Sequence, residues 1–385
     1  MSTHAITVAI GHAACFCIVK GPGLEYLVCR CMSSEPTTFY DQTRAARKII
    51  VVDLGFLGDS VHLVPALWEL RRHYPAAVLH TLSAPVGREV LALAPCVDCA
   101  RAFPLPPNSP PWWRQGELVG ELRREQYDLA VNFNGADRTI FLTAFTGARW
   151  RLAHAGGRKH FWNRWLIRDW VSRRSRDLPV FEQKRQVLAA AGFELAPPRW
   201  DLRIPESAAR RFEPLVGGRT IHFSLCASDP LREWPLRHWI ELGNRLLNRF
   251  PDLRIVVSAS SAAREQERLR GLADGLAHER LVALPPGLAI AELAAVLSRC
   301  HLHVGPDSGV LHLAMALGTP TLALFRDHPQ KGEWLPRGPR HRHVASPCPC
   351  VGQAHPPCRA TGVPRCLEAI PPAAVAQLAE AAVVP

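Results

Sequence analysis

Three loops in this sequence carry polar residues whose types and spacing suit chemistry. The first spans residues 55–62 and holds Asp59, which stands where a helix is expected to begin. A carboxylate at this place either caps the helix or faces a cleft and removes a proton from a hydroxyl group. Gly55 and Gly58 allow a tight turn, but no third glycine follows, so the loop is not a dinucleotide-binding fingerprint.

The second loop leads from a buried strand into an apolar helix and reads Gly-Pro-Asp-Ser-Gly-Val-Leu-His over residues 305–312. Backbone N–H groups at a helix N-terminus attract anions, so this loop suits a diphosphate. Asp307 or Ser308 caps the helix, and Gly309 lets a phosphate approach the backbone. His312 lies one turn further on. Asp307 repels a phosphate unless it bonds backbone donors or a ribose hydroxyl, and a helix cap followed by a core histidine is the alternative interpretation.

The third loop, residues 228–235, joins a strand to a helix and contains Arg232. An arginine fork matches phosphate oxygens with two hydrogen bonds and stabilises a departing nucleoside diphosphate. Taken alone, Arg232 is better explained as a solvated loop arginine.

Four cysteines near the C-terminus, Cys348, Cys350, Cys358 and Cys366, have a C-x-C-x7-C-x7-C spacing. Four thiolates suit a structural zinc or iron ion, although this spacing is not a common zinc-ribbon pattern. The sequence contains 12 cysteines and no recognisable secretory signal. This combination indicates a reducing, cytoplasmic location with mostly free thiols.

The segment from 151 to 176 is rich in basic and aromatic residues, and the whole chain has a net charge of +12. One interpretation is a solvated helix whose tryptophans pack inward. A second is a surface for an anionic acceptor or for the inner leaflet of the inner membrane, and a third is binding of single-stranded nucleic acid. Its basic residues and tryptophans are Arg151, Arg158, Lys159, Arg164, Arg168, Arg173, Arg174, Arg176, Trp162, Trp165 and Trp170.

Short apolar runs alternate with amphipathic stretches along the rest of the chain. Lys48–Asp53 has the pattern of a buried strand, and the apolar positions of Ser60–His73 predict one helix. A second series includes a strand at 302–305 and a helix at Gly309–Leu317. Repeated strand–helix–strand units predict two α/β halves, each a doubly wound parallel sheet, facing across a cleft. No run reaches the roughly 18 apolar residues that a membrane span needs.

The predicted organisation has five parts. A disordered extension precedes an acceptor-binding half, and a linker connects it to a nucleotide-sugar-binding half and a Cys/Pro-rich segment with a final helix. Their residues are 1–47, 48–196, 197–219, 220–345 and 346–385 respectively.

Three stretches together resemble glycosyltransferase family 9, the ADP-heptose:lipopolysaccharide heptosyltransferases. They are Ile49–Leu67, Arg232–Trp239 and Val304–Phe325. The first contains Asp-Leu-Gly-Phe-Leu-Gly-Asp-Ser-Val-His and the last contains Gly-Pro-Asp-Ser-Gly-Val-Leu-His, and both are long and specific. The resemblance extends from about Lys48 to the C-terminus.

The resemblance implies a GT-B fold and inverting sugar transfer without a catalytic metal, from ADP-heptose to a lipopolysaccharide core. It implies that Asp59 is the general base and that the donor diphosphate is held by Asp307, Ser308, Gly309 and His312. Arg232 stands where the family often has lysine, which keeps the charge but changes the geometry.

Two loops depart from the family pattern. Arg326-Asp-His328 replaces a usual glycine, and Ser258–Ser261 replaces a glycine-rich turn. Both loops border the expected donor pocket, so a nucleotide-sugar donor is predicted more firmly than ADP-heptose itself. Two alternatives stay open beside the lead interpretation: the same chemistry on a protein or another surface glycan, and a non-catalytic nucleotide or nucleic-acid binder.

Overall fold

The computed structural model describes residues 5–10, 13–18, 29–31, 37–104, 116–154, 160, 161, 163–171, 177–327, 330–348, 350 and 357–383. The chain divides into two units, Met1–Ala45 and Ala46–Pro385.

The first unit was predicted to be disordered, but its described residues form an antiparallel sheet and a short helix. The elements are β1 (Ala5–Ile10), β2 (Ala13–Ile18), β3 (Cys29–Cys31) and α1 (Phe39–Thr43). A capping box stabilises α1, because the Thr38 side chain accepts from the Asp41 N–H and the Asp41 carboxylate accepts from the Thr38 N–H.

The N-terminal half of the second unit contains a parallel six-stranded sheet in the order β6-β5-β4-β7-β8-β9. Its strands are β4 (Lys48–Asp53), β5 (Val78–Ser83), β6 (Cys99–Ala102), β7 (Leu129–Asn132), β8 (Trp150–His154) and β9 (Asp169–Val171). Its helices are α2 (Leu57–Val61), α3 (Val64–His73), α4 (Pro85–Leu91), α5 (Gly116–Arg124), α6 (Asp137–Phe145), α7 (Asn163–Leu166) and α8 (Val180–Ala190).

The C-terminal half repeats this arrangement in the order β12-β11-β10-β13-β14-β15, again parallel. Its strands are β10 (Thr220–Ser224), β11 (Arg254–Ser258), β12 (Leu281–Ala283), β13 (Leu302–Pro306), β14 (Thr321–Arg326) and β15 (His341–Ser346). Its helices are α9 (Glu206–Phe212), α10 (Leu236–Arg249), α11 (Ala263–Leu276), α12 (Ile290–Leu297), α13 (Gly309–Ala316), α14 (Lys331–Trp334), α15 (Pro357–Thr361), α16 (Arg365–Glu368) and α17 (Pro372–Val383). Two 3₁₀ turns, Glu213–Leu215 and Pro230–Arg232, complete the half.

In each sheet the first strand of the half lies in the centre and the strand order reverses beside it. Ligands of doubly wound sheets gather outside the carboxyl ends of the strands at this reversal. The reversals lie between β4 and β7 and between β10 and β13. The predicted α/β class and the two doubly wound sheets are confirmed.

Two helices replace the single helix predicted over Ser60–His73. α2 ends at Val61 and α3 begins at Val64, with Pro65 in the first turn of α3. Proline lacks a backbone N–H and is accepted only at a helix start, so it sets the beginning of a new helix. The break places His62 at the C-terminal end of α2.

The basic and aromatic segment is not the solvated helix that was one of its interpretations. Its described residues form β8, the four-residue helix α7, β9 and the short connections on either side of α7. Trp165 is 82% exposed, whereas Trp170 is half-buried and packs near Ile167. Arg158, Lys159, Trp162, Arg173, Arg174 and Arg176 lie outside the described residues.

An apolar cluster is shared by the two halves of the second unit. Val61 and Val90 from the N-terminal half pack in one cluster with Ile290, Leu293 and Leu313 from the C-terminal half.

The segment 197–219, predicted as a linker, contains α9. No described helix is long and apolar enough to cross a membrane.

Candidate active site

A cavity of about 620 Å³ lies between the two halves and contains every residue that the sequence analysis selected for catalysis or donor binding. The N-terminal half contributes Asp59, and the C-terminal half contributes the other five. Those five are Arg232, Asp307, Ser308, Gly309 and His312. Residues as distant in the sequence as Asp59 and His312 thus line one cavity. This is the position expected for a ligand site between two doubly wound sheets.

Asp59 is the third residue of α2 and is half-buried. One carboxylate oxygen accepts a hydrogen bond from the Phe56 N–H at 3.0 Å, which holds the side chain across the start of the helix. Burial raises the pKa of this carboxyl above its ordinary value, and the nearby Lys184 ammonium opposes that rise. The residue therefore both stabilises the helix start and presents an oxygen to the cavity.

On the C-terminal side, three of the charged or titratable side chains of the cavity wall, Arg232, Asp307 and His312, contact one another. Arg232 Nη1 lies 3.2 Å from Asp307 Oδ2, and His312 Nε2 lies 3.7 Å from Asp307 Oδ1. The contact between arginine and aspartate explains how a carboxylate is tolerated at a predicted anion site. Arg232 is 38% exposed, so its guanidinium also reaches the cavity.

Ser308 is the N-cap residue of α13, but its side chain makes no capping hydrogen bond. Its hydroxyl oxygen is buried and has no hydrogen-bond partner among the described residues. Buried hydroxyl groups are normally paired. Because Ser308 also lines the large cavity, its hydroxyl is in a position to pair with an oxygen of a bound ligand.

His62 was not selected from the sequence, yet it joins the two halves beside the cavity. Its Nε2 atom and His312 Nδ1 are linked by a 3.1 Å hydrogen bond. The rings of Phe181, Trp200 and Trp334 surround His62 at centroid distances of 6.2, 5.9 and 5.6 Å. Burial lowers the pKa of His62 well below its ordinary value, with the charges of His312 and Lys184 adding to the effect, so the ring is neutral.

Two glycines allow α2 and α13 to approach closely. A Cβ atom on Gly58 would lie 2.8 Å from His312 Cδ2, and one on Gly309 would lie 2.5 Å from Leu57 Cβ. The role of Gly309 as an opening for a phosphate stays a prediction, and the Leu57 side chain beside its Cα gives a second reason for a glycine at this position. Both glycines serve the contact between the halves.

A second, smaller cavity of about 230 Å³ adjoins Asp59 on the side of the N-terminal half. Its polar lining includes Asn134, His154, Gln183 and Lys184. Lys184, on α8, forms a buried ion pair with Asp53 at the end of β4. Asp59 lines both cavities, together with Glu333 and Trp334 of the C-terminal half.

The four C-terminal cysteines lie after β15 and on α15 and α16. Cys350 Sγ and Cys358 Sγ are 3.4 Å apart. Burial raises the pKa of Cys366 to about 12, and Cys348 and Cys358 contribute to the rise. Within the described ranges, no three His, Cys, Asp or Glu side chains form a group that fits a metal ion.

The geometry is thus a carboxylate that shares one cavity with the N-terminus of α13 and with Arg232. The sequence profile of glycosyltransferase family 9 (heptosyltransferase) matches residues 116–363, more than half of the chain. The chain belongs to glycosyltransferase family 9. The two sheets are accordingly the two Rossmann-like domains of a GT-B fold, and the protein is a glycosyltransferase.

Curated and solved relatives agree with this assignment. The glycosyltransferase is 22% identical over 291 residues to the lipopolysaccharide core heptosyltransferase OpsX of Haemophilus influenzae, covering 74% of this chain and 81% of that protein. It is 27% identical over 326 residues to lipopolysaccharide heptosyltransferase 1 of Pseudomonas aeruginosa, covering 79% and 85%. The structure of the E. coli heptosyltransferase WaaC with ADP is similar in fold, with a TM-score of 0.67 at 19% identity over 87% of this chain and 99% of that one.

The two departures from the family pattern differ in their relation to the cavity. Arg326, in place of the usual glycine, lines the large cavity. Ser258 instead has its hydroxyl within 2.9 Å of His222 Nε2, inside the C-terminal sheet. His328 lies outside the described residues.

Proposed function

We propose that this glycosyltransferase moves heptose from ADP-heptose to a lipopolysaccharide core, with Asp59 as general base. The observation that carries the proposal is the position of Asp59 across one cavity from the start of α13 and from Arg232. The curated relatives named above are lipopolysaccharide heptosyltransferases, which favours the same donor and acceptor here.

For the donor, the diphosphate rests on the N-terminus of α13 and beside Arg232. The unpaired Ser308 hydroxyl donates to a phosphate oxygen, and the helix dipole favours the negative charge. Asp307 and His312 orient this wall through the contacts that they make with Arg232 and His62. Gly309 acts by letting Leu57 and the first domain come close.

For the acceptor, a sugar enters the smaller cavity and presents a hydroxyl to Asp59. Asp59 accepts the hydroxyl proton while the oxygen bonds to the anomeric carbon, and the bond from that carbon to the diphosphate breaks. ADP leaves with the electron pair of that bond, and Arg232 stabilises its added charge. Attack from the face opposite the leaving group inverts the anomeric configuration.

The test begins with a thermal-shift comparison of ADP, UDP and GDP. We expect ADP to raise the melting temperature most, since only a ligand bound to the native state stabilises it. Purified enzyme is then given ADP-heptose with truncated lipopolysaccharide cores or with candidate acceptor proteins, and ADP release is measured. Stabilisation by UDP or GDP alone would reject the donor. Transfer to protein alone would move the acceptor to the alternative class.

We further propose that the enzyme works at the cytoplasmic face of the inner membrane and touches it through the region around α7. Trp165 and Phe161 are 82% and 80% exposed, and Arg168 beside them is exposed. Exposed aromatic and basic residues together suit an anionic lipid surface.

Vesicle flotation tests this contact, using neutral vesicles and vesicles that contain anionic phospholipid. We expect the wild type to float with anionic vesicles and the Phe161→Ser/Trp165→Ser variant to stay unbound. Val363→Ser is the matched control, because Val363 is also an exposed apolar residue. Equal binding of all three proteins would reject the surface.

A structural zinc or iron on Cys348, Cys350, Cys358 and Cys366 stays a proposal of its own. It rests on the spacing of the four cysteines and on the 3.4 Å separation of Cys350 Sγ and Cys358 Sγ, while no three such side chains among the described residues form a group that fits a metal ion. Elemental analysis of protein purified without added metal is the test. Absence of bound zinc and iron would end the proposal.

A further inference from the structure

Lys184 is a buried cation that points into the interior beside Asp59. It lies in the middle of α8, is 8% exposed and lines the smaller cavity together with Asp59. Its ammonium group pairs with Asp53 Oδ2. Burying a lysine and an aspartate costs solvation free energy, and an apolar pair of similar size is often no less stable. The buried pair of Lys184 and Asp53 therefore points to a role other than stability.

The Asp53 carboxylate connects this cation to the loop that carries Asp59. While Oδ2 pairs with Lys184, Oδ1 accepts a hydrogen bond from the Gly55 N–H at 3.0 Å. Gly55 in turn packs directly on Asp59, since a Cβ atom on Gly55 would lie 2.3 Å from Asp59 Cβ. The ion pair thus fixes the turn against which the Asp59 side chain rests.

The charges around Asp59 show what the cation contributes. Burial and the Asp53 carboxylate raise the pKa of Asp59, whereas Lys184 lowers it, and the effect of Lys184 is larger than that of Asp53. The Phe56 N–H and His312 lower it further. The charged and titratable side chains that face Asp59 or line its two cavities are Asp53, Lys184, His312, His154, Arg232, Asp307, Arg326 and Glu333.

We propose that Lys184 is a positioning residue that keeps the Asp59 carboxylate ionised and oriented for proton removal from the acceptor. This rests on the proposed role of Asp59 as general base. A base must be ionised before it accepts a proton, so activity falls as the pH drops through the pKa of Asp59. Without the cation that pKa rises, and the acid limb of the pH–rate profile moves to higher pH.

The test compares pH–rate profiles of kcat/KM for the wild type, Lys184→Arg and the paired variant Asp53→Asn/Lys184→Met. The paired variant removes both charges, so neither is left buried without a partner. We expect its acid limb to move to higher pH, with kcat on the alkaline side within about tenfold of the wild type, a smaller loss than removal of a general base causes. Lys184→Arg keeps the charge and should return the limb towards that of the wild type.

ADP affinity, measured by thermal shift, should be unchanged in both variants, since Lys184 lies outside the larger, donor-side cavity. An unmoved acid limb in the paired variant would overturn the proposal. So would an equal loss of activity at every pH, which indicates a purely structural role. Asp59→Ala separates the two hypotheses, because full activity in that variant would reject Asp59 as base whatever Lys184 does.

Discussion

Each half of the enzyme places an aspartate and a cation at the carboxyl ends of its central strands, but the two pairs differ in exposure. Asp53 and Lys184 in the N-terminal half are 2% and 9% exposed at their side chains. Asp307 and Arg232 in the C-terminal half are 12% and 38% exposed and border the larger cavity. The first pair is closed to solvent, whereas the second pair has an open side.

This difference separates a fixed charge from an exchangeable one. A buried pair keeps its geometry through a reaction, which suits the task of holding Asp59 ready. A half-exposed arginine can donate hydrogen bonds to a phosphate from the N–H groups that face the cavity. The aspartate meanwhile holds the orientation of the guanidinium group. The same two residue types therefore serve acceptor activation on one side and charge stabilisation on the other.

The largest expected effect comes from removing the carboxylate that the closed pair supports. Asp59→Ala should lower kcat by about 10²–10⁴-fold, the usual contribution of a general base, and should leave ADP binding intact. Single-turnover kinetics and ADP thermal shift measure the two quantities. Near-normal turnover would remove Asp59 from the mechanism.

Stability measurements test the contrast between the pairs directly. Asp53→Asn leaves a buried ammonium without its partner and should cost about 3–5 kcal/mol of unfolding free energy. Asp307→Asn, which frees a half-exposed arginine, should cost about 0–1 kcal/mol. Urea unfolding of both variants gives the comparison, and equal losses would contradict the distinction between closed and open pairs.

Arg232 tests the open pair by catalysis. Arg232→Ala should reduce kcat/KM by about 10²-fold, as loss of one charge-stabilising donor does. Arg232→Lys should recover part of this, since it restores the charge but not the two-pronged geometry. Steady-state kinetics with Arg237→Ala as control, an exposed arginine paired with Glu368, would show whether any lost arginine has the same effect.

A modest effect on stability is expected at the contact between the halves. Gly309→Ala forces its new methyl group against Leu57 and should destabilise the enzyme by about 1–3 kcal/mol. Leu57→Gly in the same chain removes the Cβ atom that the new methyl group meets at 2.5 Å and should relieve the clash. Gly120→Ala is the control, because its Cβ meets only the flexible end of Arg124 at 3.5 Å; a thermal melt that ranks it with Gly309→Ala would refute the explanation.

The sequence predicts the two sheets and the loops of the cleft well, because strand patterns and loop residue types are local features of the sequence. β4 is an apolar run followed by a loop that contains glycine and aspartate, and β13 is followed by a loop with the same residue types. The sequence therefore predicts the residues on both sides of the cleft. The broken helix at His62 was missed although Pro65 signals it, since the apolar spacing continues through the break.

Lys184 and His62 were missed for a different reason. Lys184 lies 131 residues from Asp53 along the chain, and His62 lies 250 residues from His312. Each looks like an ordinary position on an amphipathic helix. Only the packing of α8 against α3 and of α13 against α2 brings Lys184 next to Asp59 and makes His62 a link between the halves.

The apolar cluster shared by Val61, Val90, Ile290 and Leu313 has a consequence for how the enzyme folds. Apolar side chains from both halves lose water only when the halves meet, so neither half completes its core in isolation. Calorimetry should therefore record one cooperative transition for Ala46–Pro385. Either half expressed separately should expose these apolar side chains and aggregate instead of folding as an independent domain.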